Sequence, residues 1–407
     1  MLLNVSSIYR KFFLTVFLLY IVTYWLEPYE LRMFLSLLIV FMGIHLIISY
    51  GRIPKLSVQI GLFSVVVIFI GLLSEIIYGS SNNMTIVMEG IKGLQLIAMA
   101  FLGVFLAKIQ FSYDSKFIER IGLSVLVFLM VATFISLFYN VPGLFNQEVR
   151  LGSHNLLGNQ RGSAMYTEPG MLSNTVIVLW VFLYCLVSSQ RRTVISIISI
   201  IICILSASLV GYLFALGILG NLIYSRKNVN KAFIFGLIFM VSVPIGAFVY
   251  ENTISTRISF SDEGINADPS SSLKYTNIIN ILERDFIEQV IGSGIRANYR
   301  VTFDNLLLDG RANISDGFAF VNSSGVIPFF YFQYGIIGLL FIISLFIKSK
   351  YKYLFLLLLL TRYGDAAMLI LILAFLSGRE KNLNNYGSAR VSSSNSNGGT
   401  FSRNCGL

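Results

Sequence analysis

Residues 193–224 read TVISIISIIICILSASLVGYLFALGILGNLIY, 32 mostly apolar positions without a charged group. At about 1.5 Å of rise per residue, one helix of that length would run to roughly 48 Å. A bilayer core is only about 30 Å thick. The stretch is therefore expected to fold as a hairpin of two short helices, turning near Ser206, Ser208 and Gly211. The rest of the chain extends the same pattern. Of its 407 residues 56% are hydrophobic and 12% charged, with a mean hydropathy of +0.76. Soluble domains carry about 25% charged residues, so lipid is the solvent that fits. This composition excludes a soluble enzyme and a secreted domain.

A membrane span needs roughly 20 mostly apolar residues. Candidates lie at 8–26, 31–50, 56–77, 86–107, 117–139, 171–189, 193–208, 209–224, 232–250, 326–347 and 351–377. The last is interrupted by Thr361-Arg362-Tyr363-Gly364-Asp365 and reads as one long span or two short halves. The expected architecture is an all-α polytopic membrane protein with 11–12 transmembrane helices. The first apolar run lacks a small-residue cleavage site and reads as a retained span.

The net charge of +10 would point to nucleic acid in a soluble protein. Here the placement of the charges carries the meaning, and no nucleic-acid partner is expected. Arg10-Lys11, Arg52/Lys55, Lys108/Lys116, Arg191-Arg192, Arg226-Lys227/Lys231 and Lys348/Lys350/Lys352 sit in short connections. All fall on one side if the spans alternate, and positive loops stay cytoplasmic. That puts the N-terminus in the cytoplasm and turns two loops outward, 140–170 and 251–325. A basic tail (Arg379, Lys381) also prefers the inside, which favours splitting 351–377 and twelve spans. The division is thus a membrane domain over 1–378 and a tail over 379–407, rich in Ser, Asn and Gly and expected to be disordered. Cys185, Cys203 and Cys405 have neither disulfide nor zinc spacing. The first two lie in apolar runs and read as small hydrophobes.

A structureless loop of about 75 residues is unusual, so 251–325 is expected to be a folded cap. Within it, 273–289 has the spacing of an amphipathic helix (Leu273, Ile278, Ile281, Leu282, Phe286, then Val290) that lies along the membrane surface. Gly292-Ser293-Gly294 ends it, and Arg296, Arg300, Asp304, Asp309, Arg311 and Asp316 follow. Loop 140–170 is dense in polar groups: Glu148, Arg150, His154, Asn155, Asn159, Arg161 and Glu168. Its run Gln160-Arg161-Gly162-Ser163-Ala164-Met165-Tyr166-Thr167-Glu168-Pro169-Gly170 leads straight into a span. Pro169 suits a first helical turn, and Glu168 suits the cap beside it. Each residue also has a plainer role, the arginines as solvated or lipid-facing groups, Glu168 as a cap alone, His154 as a polar loop residue.

Arg161-Gly162-Ser163 followed by Glu168-Pro169 resembles the "R-x-S/G … E-P" signature of O-antigen polymerases (Wzy). Gly292-Ser293-Gly294 stands where that family has a G-x-G after an amphipathic helix. Tyr334-Gly335-Ile336-Ile337-Gly338 stands where it opens the span after the large loop. The turn Leu205-Ser206-Ala207-Ser208-Leu209-Val210-Gly211-Tyr212 resembles its "T-x-S-R-x-G" turn but lacks the arginine. Paired R-x10-G motifs do not transfer, because Arg150 to Gly162 and Arg300 to Gly310 have the wrong spacing. O-antigen ligases are similar too, but typically carry a histidine in the second outer loop, and 251–325 has none.

The resemblance implies joining of undecaprenyl-pyrophosphate-linked O-antigen or capsule repeat units at the periplasmic face. It also implies a chain-length regulator and a flippase as partners, beside membrane lipid. Charge builds on the pyrophosphate leaving group as the glycosidic bond breaks. No Asp-x-Asp motif is present to hold a metal, so no metal or cofactor is expected. Arginine neutralises phosphate through bidentate, permanently charged contacts. Arg150, Arg161, Arg257, Arg296, Arg300 and Arg311 are the pyrophosphate-binding candidates. Glu168, then Asp316, then Glu75 are candidates for a general base; Glu89 and Lys92 are spaced to pair with each other. The alternatives are an O-antigen ligase transferring polymer to lipid A core, a lipid-linked oligosaccharide flippase, and a membrane protein whose loop only binds partners. A flippase would place charges along a central path and keep its outer loops short, the reverse of this chain.

Overall fold

The computed structural model describes residues 7–24, 29–51, 53–78, 83–108, 115–141, 147–149, 160–166, 168–224, 285–292, 326–361 and 366–379. Its helices are α1 (Ser7–Thr23), α2 (Tyr29–Tyr50), α3 (Lys55–Tyr78), α4 (Asn83–Lys108), α5 (Ser115–Ser136), α6 (Pro169–Leu186), α7 (Ser189–Leu205), α8 (Leu209–Tyr224), α9 (Phe286–Ile291), α10 (Val326–Lys348), α11 (Lys352–Leu359) and α12 (Ala366–Gly378). One antiparallel ladder, β1 (Gln147–Val149) with β2 (Gln160–Gly162), departs from the all-α expectation. It lies in loop 140–170, with three residues a side, and leaves the bundle itself helical.

Exposure runs opposite to that of a water-soluble helix. In α3, Ser57, Ser64 and Ser74 are buried, while Val58, Leu62, Val65, Val66, Phe69 and Ile76 face out. In α7, Ser196 and Ser199 are buried, and Val194, Ile197, Ile201 and Ile204 are exposed. Two of these buried hydroxyls bond inside the bundle: Ser64 donates to Gly61 O at 2.7 Å, and Ser196 accepts from Trp180 Nε1 at 2.9 Å. Water would sort these residues the other way. Lipid also forces each segment to satisfy its own backbone groups, which is why the elements are helices. Among the described residues, Lys55–Ser74, Lys116–Ser136 and Pro169–Leu186 are long and apolar enough to cross a membrane. Phe34–Ser49, Gly93–Ala107, Val210–Tyr224, Gln333–Lys348 and Met368–Gly378 are apolar but shorter. The fold is that of a helical membrane protein.

Two helices form the centre. Almost every described side chain of α6 and α12 is buried, and Phe182 meets Phe375 at 5.5 Å between ring centroids. Phe17 of α1 covers Phe182 from the other side at 4.7 Å. Cys185 and Cys203 are buried free thiols, as their apolar surroundings in sequence imply. α12 runs parallel to α4 through a seam of small residues, Gly103 and Ala107 against Ala374 and Gly378. A Cβ on Gly103 would press into Leu371 O and lie 2.9 Å from Ala374 Cβ. Lipid offers no hydrophobic drive between helices, so close backbone packing of this kind holds them together. Gly103→Leu is expected to cost about 3 kcal/mol, at the upper end of overpacking penalties. The protein should then melt well below the parent in detergent; an unchanged transition would show that the seam carries no stability.

The hairpin expected at 193–224 is present, as α7 and α8 joined at Ser206, Ala207 and Ser208. The stretch 351–377 is two helices rather than one long span. α11 has only eight residues, and Ser349 donates to Leu376 O at 3.3 Å, so the segment turns back to the end where it began. Of the amphipathic helix expected at 273–289, residues 273–284 lie outside the described residues, and Phe286–Ile291 is helical. Asp285 is its extended N-cap and Gly292 its C-cap. Phe286 and Ile287 are exposed. The candidate span 232–250 and the remainder of 251–325 fall outside the described residues. So does the tail expected to be disordered, apart from Arg379, which is buried against the bundle.

Contacts between helix ends sort the basic connections to one end of the bundle. Lys11 lies over Phe117 at 5.7 Å. Glu119 Oε1 accepts from Ser188 N at 2.9 Å. Arg192 lies over Tyr184 at 5.0 Å, and Arg379 donates to Cys185 O at 3.3 Å. The β1–β2 ladder, the α7–α8 turn and α9 gather at the other end.

Candidate functional site at the loop end of the bundle

The stretch from Gln160 to Glu168 is held at three points before it enters α6. Gly162 packs against the end of α5, where a Cβ would lie 2.7 Å from Thr133 O and 3.0 Å from Ser136 Oγ. Ala164 N donates to Ser136 Oγ at 3.2 Å. Ala164 itself has φ +51°, a left-handed conformation costing roughly 1–3 kcal/mol in a residue with a side chain. It persists because its neighbours are tied down. Tyr166 is fully buried and donates its hydroxyl to Val22 O, at the end of α1, at 2.8 Å. Burial pushes its pKa well above the ordinary tyrosine range, so the hydroxyl keeps its proton and the anchor persists at any physiological pH.

Glu168 is the N-cap of α6, and Pro169 occupies the first helical position, as their order in sequence suggests. The capping is done by the Glu168 backbone carbonyl, which accepts from Met171 N at 3.0 Å and Leu172 N at 3.3 Å. Its carboxylate makes no capping hydrogen bond and is exposed. A carboxylate at a helix N-terminus sits in the favourable field of the helix dipole.

Beneath Glu168 lies a closed set of hydroxyls. Ser173 donates to Pro169 O at 3.1 Å and lies 2.9 Å from the hydroxyls of both Ser206 and Ser208. Ser206 donates to Cys203 O at 2.8 Å, and Ser208 accepts from Gly211 N at 2.9 Å. All three serines are buried. They dock the α7–α8 turn under the start of α6, at the place where the resembled turn carries an arginine.

A second contact joins α9, α10 and α3. α10 is kinked at Gly335, with φ +60° and ψ −153°. Gly292 has φ +81°. The two glycines face each other: a Cβ on Gly335 would lie 2.5 Å from Gly292 N, and one on Gly292 2.5 Å from Tyr334 N. Ser74 of α3 donates to Gly292 O. Two motifs separated by about 40 residues in sequence thus form one backbone junction.

Of the candidate site residues, Arg161 and Glu168 lie on the anchored stretch. Arg161 stands in β2 with Glu148 as its cross-strand Cα partner. Glu75 follows Ser74 on α3, and Glu89 and Lys92 are on α4, which packs along α3. Arg150, Arg257, Arg296, Arg300, Arg311, Asp316 and His154 fall outside the described residues. Among the described residues no three His, Cys, Asp or Glu side chains come together as a metal-holding group. Sequence reasoning took Ser206 and Ser208 only as turn residues and passed over Ser173, Tyr166 and Ser74. A serine four residues after Pro169, at helical spacing, was the signal for Ser173; nothing local announces a tyrosine that reaches Val22.

No family model, curated protein or solved structure matches this chain.

Proposed function

We propose that this chain is a polysaccharide polymerase, a glycosyltransferase that joins lipid-linked repeat units at the outer face of a bacterial inner membrane without a metal. The donor is a glycan on undecaprenyl pyrophosphate, and the acceptor is a sugar hydroxyl on a second lipid-linked unit. In this reading 11–12 spans cross the membrane and the basic end of the bundle faces the cytoplasm. One observation carries it. Arg161 and Glu168 sit seven positions apart on a stretch pinned by Ser136 and Val22 at the head of a buried helix. Charge stabilisation is effective when the stabilising groups are fixed before the reaction begins, and this is a fixed platform. Arg161 would hold pyrophosphate oxygens, with Arg150, Arg257, Arg296, Arg300 and Arg311 completing the cationic wall. Glu168, or Asp316, would take the acceptor proton. The diphosphate lipid tail reaches such a site sideways, between helices that expose apolar side chains to lipid.

Deletion of the gene followed by electrophoresis of surface polysaccharide tests the proposal. A product of single repeat units supports a polymerase. Free polymer without lipid A attachment would assign a ligase instead, and loss of all surface glycan would assign a flippase.

A further inference from the structure

The opposite end of the bundle holds a cationic corner with no described counter-charge. Arg379 directly follows α12 and is 7% exposed. Its Nη2 donates to Cys185 O at 3.3 Å, and its guanidinium lies 5.9 Å from the Phe375 ring centroid. Its Nε and Nη1 are buried and have no hydrogen-bond partner, and the Nε of Arg192 is in the same condition. The ionisable groups facing Arg379 are Cys185, Tyr351 and Arg192. None is a carboxylate, and the last is a like charge. Glu119, at the start of α5, is engaged by Ser188 N. Lys348, Lys350 and Lys352 add further positive charge on the connection that includes Tyr351.

An arginine cannot shed its proton to escape burial, and burial works against its charged form. A buried guanidinium with unmet N–H groups is stable only when an anion meets it. The required anion must accept from several N–H groups on two arginines at once. It must also reach a corner flanked by Tyr184 and Tyr351, amphipathic aromatics of the kind that collect at a membrane–water boundary. A tetrahedral phosphoryl group has the acceptor number and charge for this.

We infer that Arg379 and Arg192 form a phosphoryl-binding site between the end of α6, the start of α7, the α10–α11 connection and the end of α12. The group is supplied either by the head of a membrane phospholipid or by free phosphate. The site lies at the other end of the bundle from Arg161 and Glu168, and it does not depend on the proposed polymerase reading.

The full chain in neutral detergent, melted with short-chain phosphatidylglycerol, with inorganic phosphate or with sodium chloride at matched ionic strength, tests this. Phosphatidylglycerol or phosphate should raise the melting temperature where chloride does not. A response to the lipid alone identifies a headgroup, and an equal response to phosphate identifies the free ion. Arg379→Gln, and the milder Arg192→Gln at a less buried position, should each weaken that response by about ten- to a hundredfold in midpoint concentration, the usual effect of losing a hydrogen bond to a charged partner. Equal responses in parent and both variants would overturn the site. So would a response that appears, or strengthens markedly, only in Glu380→Gln, which would make the chain's own carboxylate the counter-ion.

Discussion

Arg161→Ala is expected to leave the protein in the membrane and to turn a ladder of surface glycan into single repeat units. Loss of one contact of this kind lowers a rate by about 10²–10³-fold, or roughly 3–4 kcal/mol of transition-state stabilisation. At that reduction chain growth cannot keep pace with export. The backbone at position 161 is held by the β1–β2 ladder and by the packing of Gly162 on α5, so truncating the side chain leaves the platform standing. Arg161→Lys should recover little, because a point charge does not reproduce a bidentate fork. Activity of the purified protein should also survive excess EDTA. A normal ladder from the alanine variant would remove Arg161 from the mechanism, and metal dependence would overturn the arginine chemistry.

Gly335→Ala is expected to separate α9 from α10 and α3. The glycine's φ and ψ fall in a region that a side chain enters at roughly 1–3 kcal/mol. The added methyl would also press on Val290 O and Gly292 N, at about another 1–3 kcal/mol. Amide hydrogen exchange over Phe286–Ile291 should therefore accelerate, while α6 and α12, which take no part in the junction, keep their protection. Gly292→Ala should do the same. The double variant should fall short of the sum of the two, because both changes break one contact. Unchanged exchange in either single variant would show that the junction is not what holds α9.

Much of the helical layout was legible in the chain because lipid imposes a rule that operates on short windows. A stretch of about 20 apolar residues has one way to satisfy its backbone, so α1 to α8 and α10 lie within a few residues of where composition alone puts them. The interruption at 361–365 also announced itself through a charged pair inside an apolar run. The end of α9 at Gly292 was legible as a glycine stop, while residues 273–284 of the expected amphipathic helix lie outside the described residues.

The candidate site divides in the same way. Glu168-Pro169 reads as a helix start because proline geometry and backbone capping act over three or four residues. Tyr166 reaching Val22, Ser173 meeting Ser206 and Ser208, and Gly292 lying on Gly335 join residues from 33 to 144 positions apart or bring two separate motifs into contact. No local pattern encodes such meetings.

Solvent preference, span position and helix caps are set by each residue's own transfer energy and by its nearest neighbours in the chain, so sequence by itself determined them. Which small residues form the seam between α4 and α12, and which arginine is left buried at the far end, depend on how whole helices pack against one another. Those were decided only by the tertiary structure, where backbone shape and not side-chain character selects the partner.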